Sequence, residues 1–206
     1  MNIRLKLFFY LVFISSSSLS VAVDNGTWIY DLNADGTSIT LAGSSNNTPQ
    51  NLNIPDVIDG YIVTKIGVSA FSGSQLSSLI LPPTVLIIGD KAFSNNNLIY
   101  LEILEGVESM GQFAFHNNNL TSLEIPNSVI SIGLHAFGQN QISSLSLGSG
   151  IQSIAEGAFV RNQLTSLEIP DSVTSIGPYA FGWNQLNSLS LGSSVQTIGY
   201  SAFSGN

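Results

Sequence analysis

Two histidines, thirteen carboxylates, five Lys and Arg and no cysteine are the ionic and metal-binding side chains of this 206-residue chain. Without a thiol there is no cysteine nucleophile, disulfide scaffold, thiolate zinc site, iron–sulfur cluster or lipid-bearing cysteine. His116 and His135 have no third ligand and no Ser and Asp partner set in the sequence, so both read as surface residues rather than metal ligands or catalysts. The run Asp31-Leu32-Asn33-Ala34-Asp35-Gly36 matches the first half of a calcium loop, Asp-x-Asn-x-Asp-Gly. The bidentate acid such a loop needs at its twelfth position is Ala42, and the flanks alternate like strands, so the run reads as a hairpin turn. No nucleophile elbow, phosphate loop, zinc-protease helix or dinucleotide fingerprint occurs. Glu102 and Glu124 are a carboxylate pair of the kind glycoside hydrolysis uses, but an open face lacks the enclosed site that chemistry requires. The expectation is a protein that is not an enzyme and holds no metal or cofactor. Its chemistry is recognition.

The candidates for recognition fall in columns. One outward column reads Ser78, Tyr100, Ser122, Ser144, Ser166 and Ser188; the next reads Ile80, Glu102, Glu124, Ser146, Glu168 and Ser190. The face they form is hydroxyl-rich and mildly acidic, and Tyr100, Glu102, Glu124 and Glu168 are its contact candidates. A second variable column, Gly73, Asn95, Asn117, Gln139, Arg161, Trp183 and Gly205, adds Arg161 and Trp183, residue types enriched at interface hot spots. Packing of Trp183 across the adjacent repeat is the alternative for that residue. The formal charge of −8 argues against nucleic acid, which takes a basic stripe.

These columns exist because the chain repeats. Ala-Phe ends at Phe71, Phe93, Phe115, Phe137, Phe159, Phe181 and Phe203, a step of 22 residues each time. Ile66, Ile88, Met110, Ile132, Ile154, Ile176 and Ile198 keep the same step, as do Leu79, Leu101, Leu123, Leu145, Leu167 and Leu189. One such repeat cannot bury its own apolar residues, so repeats must stack. Within Ser166-Leu167-Glu168-Ile169 the alternation has period two, which turns Leu167 and Ile169 inward and Ser166 and Glu168 outward on a short strand. Val173 and Ile176 turn inward again on the opposite side. Gly177 permits a tight bend before Ala180-Phe181; glycine at that bend fails only at Ala155. The fold class that follows is a repeat solenoid: short parallel strands on one face, turns or short helical turns on the other. The asparagines Asn96, Asn118, Asn140, Asn162, Asn184 and Asn206 are expected to form a buried hydrogen-bonded ladder, one amide per coil.

The pattern Leu-x-x-Leu-x-Ile-Pro-x-x-Val-x-x-Ile-Gly-x-x-Ala-Phe-x-x-Asn, quoted from residues 164–184, resembles the BspA-like, or Treponema-type, leucine-rich repeat family. The resemblance covers residues 75–206 as six full repeats, with a partial one over residues 62–74. The family proline stands at Pro82, Pro126 and Pro170 but gives way to Leu104, Gly148 and Gly192 between them, a pairing that records tandem duplication of a two-repeat unit. The resemblance implies surface exposure, adhesion to host or matrix proteins and, in some members, aggregation between cells; the strand face itself is expected to meet another surface protein or a surface glycan.

Residues 1–22 read as a secretory signal: basic Arg4 and Lys6, an apolar run over 7–14 too short to span a bilayer, and small Ser20 and Ala22 before Val23. The mature protein is then exported, with no membrane span. Residues 23–61 are expected to form an N-terminal β-hairpin cap, with strands over 26–32 and 37–41, a loop over 42–51 and a first irregular coil in which 56–61 is an insertion. Residues 62–206 form the solenoid. The sequence stops at Asn206 without a polar cap, so a longer natural chain is expected, with pairing to another chain or fraying as alternatives. A structural spacer or stalk of a longer surface protein is the alternative function.

Overall fold

A computed structural model describes residues 22–46 and 48–206; the export signal expected over residues 1–22 lies, apart from its last residue, outside the described residues. Each 22-residue repeat forms one flattened coil, and consecutive coils stack in register. The file of Phe71, Phe93, Phe115, Phe137, Phe159, Phe181 and Phe203 runs the length of the interior. Adjacent rings are nearly parallel, with centroids 5.3 to 5.6 Å apart. Offset stacking of this kind adds to the area each ring buries. The Ala beside each Phe is buried from Ala92 to Ala202, while Ala70 at the first coil is partly buried.

Strands line two sides of the stack. On the side of the Leu-x-Ile column, β4 (Asn51–Asn53) pairs with β7 (Ser78–Ile80), β10 (Ser122–Ile125) with β12 (Ser144–Leu147), and β14 (Ser166–Glu168) with β16 (Ser188–Ser190), all parallel. Leu123, Ile125 and Leu167 point inward while Ser122, Glu124, Ser166 and Glu168 are exposed. The opposite side carries a longer sheet that the sequence reading left as inward-turning residues. There β8 (Ile87–Ile88), β9 (Ser109–Met110), β11 (Ser131–Ile132), β13 (Ser153–Ile154), β15 (Ser175–Ile176) and β17 (Thr197–Ile198) pair in parallel, each with the equivalent residues one repeat away. Two-residue strands give too little alternation to be read as strands from one repeat; the ladder is visible only across coils. The stretch from Gly to Phe is a turn in every coil, and no helix occurs among the described residues.

At the amino-terminal end β2 (Trp28–Leu32) and β3 (Ser38–Ser44) form an antiparallel hairpin, with β1 (Val23–Asp24) paired outside β2. β3 then runs parallel to β6 (Tyr61–Ile66), so the hairpin joins the long sheet as its first strands and covers an edge that would otherwise lie open. Ser38, Ile39 and Leu41 are buried by it. β3 extends through Ser44 into the expected loop, because Gly43 and Ser44 continue the pairing with Ile29 and Trp28. The expected insertion is itself a small hairpin, β5 (Val57–Ile58) against β6, turning at Asp59 and Gly60 with φ of 52° and 87°. Two consecutive positive φ values are what a two-residue hairpin of this hand requires.

Candidate functional site

The asparagine in each coil holds the turn together. Asn140 is 8% exposed; its Oδ1 accepts from Leu120 N, and its Nδ2 donates to Phe137 O of its own coil and Phe115 O of the preceding one, each at 3.1 Å. Asn96, Asn118, Asn162, Asn184 and Asn206 make the same three contacts. With each amide committed to backbone, the five buried members, Asn96 to Asn184, offer a partner nothing; Asn206, expected to be buried with them, is exposed because no further coil covers it among the described residues. The bend glycines serve the long sheet: the amides of Gly89, Gly111, Gly133, Gly177 and Gly199 donate to the carbonyls of Ile66, Ile88, Met110, Ile154 and Ile176 at 2.7 to 2.8 Å.

On the short-strand side, Tyr100, Glu102 and Glu124 meet in one open groove of about 650 Å³, with Glu105, Pro126 and Asn127 along its rim. Tyr100 is 62% exposed. The segment 100–104 forms no ladder with either neighbouring coil, and the paired strands on this side resume at β10. Three carboxylates border the groove and no Lys or Arg does. Glu168 lies on the same side two coils further on, outside the groove.

Arg161 and Trp183 are not part of that groove. They line a second one of about 360 Å³ together with Phe113, His116, His135, Gln139, Glu156, Val160 and Tyr179. Trp183 stacks on Tyr179 with centroids 5.6 Å apart, the Arg161 guanidinium lies 5.5 Å over the indole, and the indole is still 47% exposed. Trp183 therefore packs against its neighbours and presents a surface at once. The two histidines are not simple surface residues: His135 stacks on Phe113 at 5.2 Å, His116 meets His135 edge-on at 6.2 Å, and the Nδ1 atom of each is buried without a hydrogen-bond partner. Burial and the neighbouring His135 lower the His116 pKa. The sequence did carry a signal for this cluster. Phe113, His135 and Tyr179 occupy one position of the repeat, Gly157 stands between the last two, and single residues read separately hide the column.

In the cap, the calcium-like run is consumed by its own turn. Asp35 accepts from the amides of Thr37 and Ser38 and from the Ser38 hydroxyl at 2.5 to 2.8 Å, which hold its carboxyl down to about 2. Asn33 bonds Ser38, Thr40 and Thr64. Among the described residues no three His, Asp or Glu side chains are grouped to hold a metal ion, and no helix is long and apolar enough to cross a membrane.

Comparison with known proteins agrees with this architecture. The chain is 26% identical to a leucine-rich repeat protein of Treponema pallidum, with a TM-score of 0.74 over 86% of each chain. It is 25% identical to a leucine-rich cell surface protein of Faecalibacterium prausnitzii, with a TM-score of 0.61 over 89% of this chain and 55% of that one. The pneumococcal vaccine antigen PcpA shares the fold at 22% identity and a TM-score of 0.65, over 84% of this chain and 49% of that one. The chain thus spans about half the length of the latter two structures. No curated protein matches it. The family model for the BspA-type leucine-rich repeat region matches residues 45–163 and 108–206 in six copies. With that match spread over most of the sequence, and with the stacked coils that the model's repeats require, the chain belongs to the BspA-type leucine-rich repeat family.

Proposed function

We propose that this protein is an exported, surface-associated binding module that recognises a basic segment of a partner protein in the groove of Tyr100, Glu102 and Glu124. One observation carries the reading: three residues at outward positions converge on a single open groove whose charged lining residues are all carboxylates. Glu102, Glu105 and Glu124 attract a cationic partner and repel a second acidic surface, and Tyr100 supplies an exposed aromatic anchor. Export rests on the tripartite segment over residues 1–22, and a surface location is supported by the leucine-rich cell surface protein to which the chain is similar. Catalysis has no enclosed site in this groove, and recognition is what its open form suits.

The test is retention of extracellular matrix and cell-surface proteins on immobilised residues 23–206, compared with the triple variant Glu102→Lys, Glu124→Lys, Glu168→Lys. Retention that is lost in the variant and weakens steeply with salt supports the reading. Equal retention by both moves the binding surface elsewhere.

A further inference from the structure

The second groove is built at positions where the backbone does not favour bulk. Phe113, His135, Tyr179, Arg161 and Trp183 all have φ between 53° and 57°, in the left-handed region. The remaining members of the same two columns are Ser69, Gly73, Lys91, Asn95, Asn117, Gln139, Gly157, Ser201 and Gly205, mostly small residues or asparagine. Non-glycine residues pay for that conformation, and aromatic ones gain nothing from it in local stability. These side chains also lie outside the interior that the Phe file fills.

Two glycines let the imidazoles pack close against neighbouring backbone. In the column Phe113–His135–Gly157–Tyr179, an added Cβ at Gly157 would meet His135 Cε1 at 2.2 Å, so the imidazole leans into the place a side chain would take. In the next column His116 is followed by Gly138, whose added Cβ would lie 3.1 Å from His116 Nδ1. The groove therefore has ring faces at both ends, His135 backed by Phe113 at one and Tyr179 against Trp183 at the other, with Val160 between and Gln139, Glu156 and Arg161 among its walls.

We infer that this groove is a second binding site, separate from the acidic one, and that it takes the pyranose ring of a neutral glycan. A pyranose presents a patch of C–H bonds that packs on an aromatic face, and a rim of hydroxyls that both donate and accept. The half-exposed Trp183 indole offers the aromatic surface, backed by Tyr179, which Tyr200 meets edge-on; the Glu156 carboxylate, Gln139 amide and Arg161 guanidinium are planar groups able to pair with adjacent hydroxyls. One carboxylate and one guanidinium leave the walls near neutrality, and the chain carries −8 overall, which disfavours a nucleotide or any other polyanion. A purely apolar side chain from a partner protein would leave those three polar groups without partners.

The test uses residues 23–206 with Trp28→Phe, so that Trp183 is the only indole. Its fluorescence, excited at the red edge of the indole band, is followed on titration with neutral tetrasaccharides of glucose, mannose, galactose and N-acetylglucosamine, and separately with phenylacetamide and adenosine monophosphate. The expected result is a saturable change in Trp183 emission with at least one tetrasaccharide. Tyr179→Asn, which suits the left-handed backbone, weakens the apparent affinity about tenfold or more, a loss of at least one decade in Kd. Matching thermal melts by circular dichroism show that this variant is folded, and Glu102→Lys, Glu124→Lys, Glu168→Lys leaves the sugar response unchanged. Failure of the acidic groove and failure of this site are thereby distinguishable. A response to phenylacetamide or the nucleotide with none to any sugar overturns the inference in favour of aromatic-ring recognition. No response to any probe, or a sugar response that Tyr179→Asn leaves intact, also overturns it.

Discussion

At the scale of single residues, the polar side chains divide into those spent on backbone and those left for partners. Asn140 is spent: removing its amide leaves the Leu120 N–H buried with no acceptor and takes one donor from each of two Phe carbonyls. Asn140→Ala is expected to destabilise the protein by about 2–3 kcal/mol, read from denaturant midpoints at unchanged slope. A change under about 0.5 kcal/mol, the size typical of surface sites, would mean the ladder is not structural. Tyr30 is spent in the cap. It is 3% exposed and donates to Asp59 Oδ2 at 2.7 Å, and burial, helped by that bond and the carboxylate charge, pushes the phenol from 10.0 up to about 12. A raised folded-state pKa contributes stability that is complete below pH 10 and lost as pH rises through about 12. Denaturation curves for the wild type should weaken across that alkaline window, while Tyr30→Phe, weaker at neutral pH, stays flat through it.

At the scale of the element, the coil depends on close approach at the bend. An added Cβ at Gly133 would stand 2.5 to 2.6 Å from the backbone of Gly111 and Gln112, atoms that have no flexible end to move aside. Gly133→Ala should separate two coils locally and lengthen the Gly133 N to Met110 O bond, now 2.8 Å, with a fall in thermal midpoint and earlier exchange of the Gly133 amide. Ala155 shows what the element tolerates when the glycine is missing: β13 still pairs on both sides. The period-two alternation made the Leu-x-Ile strands legible from one repeat. The two-residue strands of the long sheet were not, because their pairing lies entirely between coils.

At the scale of the whole molecule, each coil touches only its neighbours, so stability is close to a sum of coil and interface contributions. In the last coil Leu189, Leu191 and Ile198 are 43 to 49% exposed, whereas Leu167, Ile169 and Ile176 in the coil before are 4% or less. Hydrogen exchange on residues 23–206 should show amides of β17 opening well before those of β11 and β13; uniform protection along the stack would contradict nearest-neighbour stabilisation. The sequence by itself determined the period, the inward columns, the asparagine positions and the absence of sulfur chemistry, because each is set by residue type at a fixed step. Tertiary structure alone decided which outward residues share a groove. Tyr100, Glu102 and Glu124 converge while Glu168 stands apart, and two histidines that look unrelated in the sequence join Tyr179 and Trp183 across glycine gaps. The physical reason is that burial follows a periodic rule every coil must obey. A surface site is an exception to that rule, and its shape depends on what neighbouring coils leave empty.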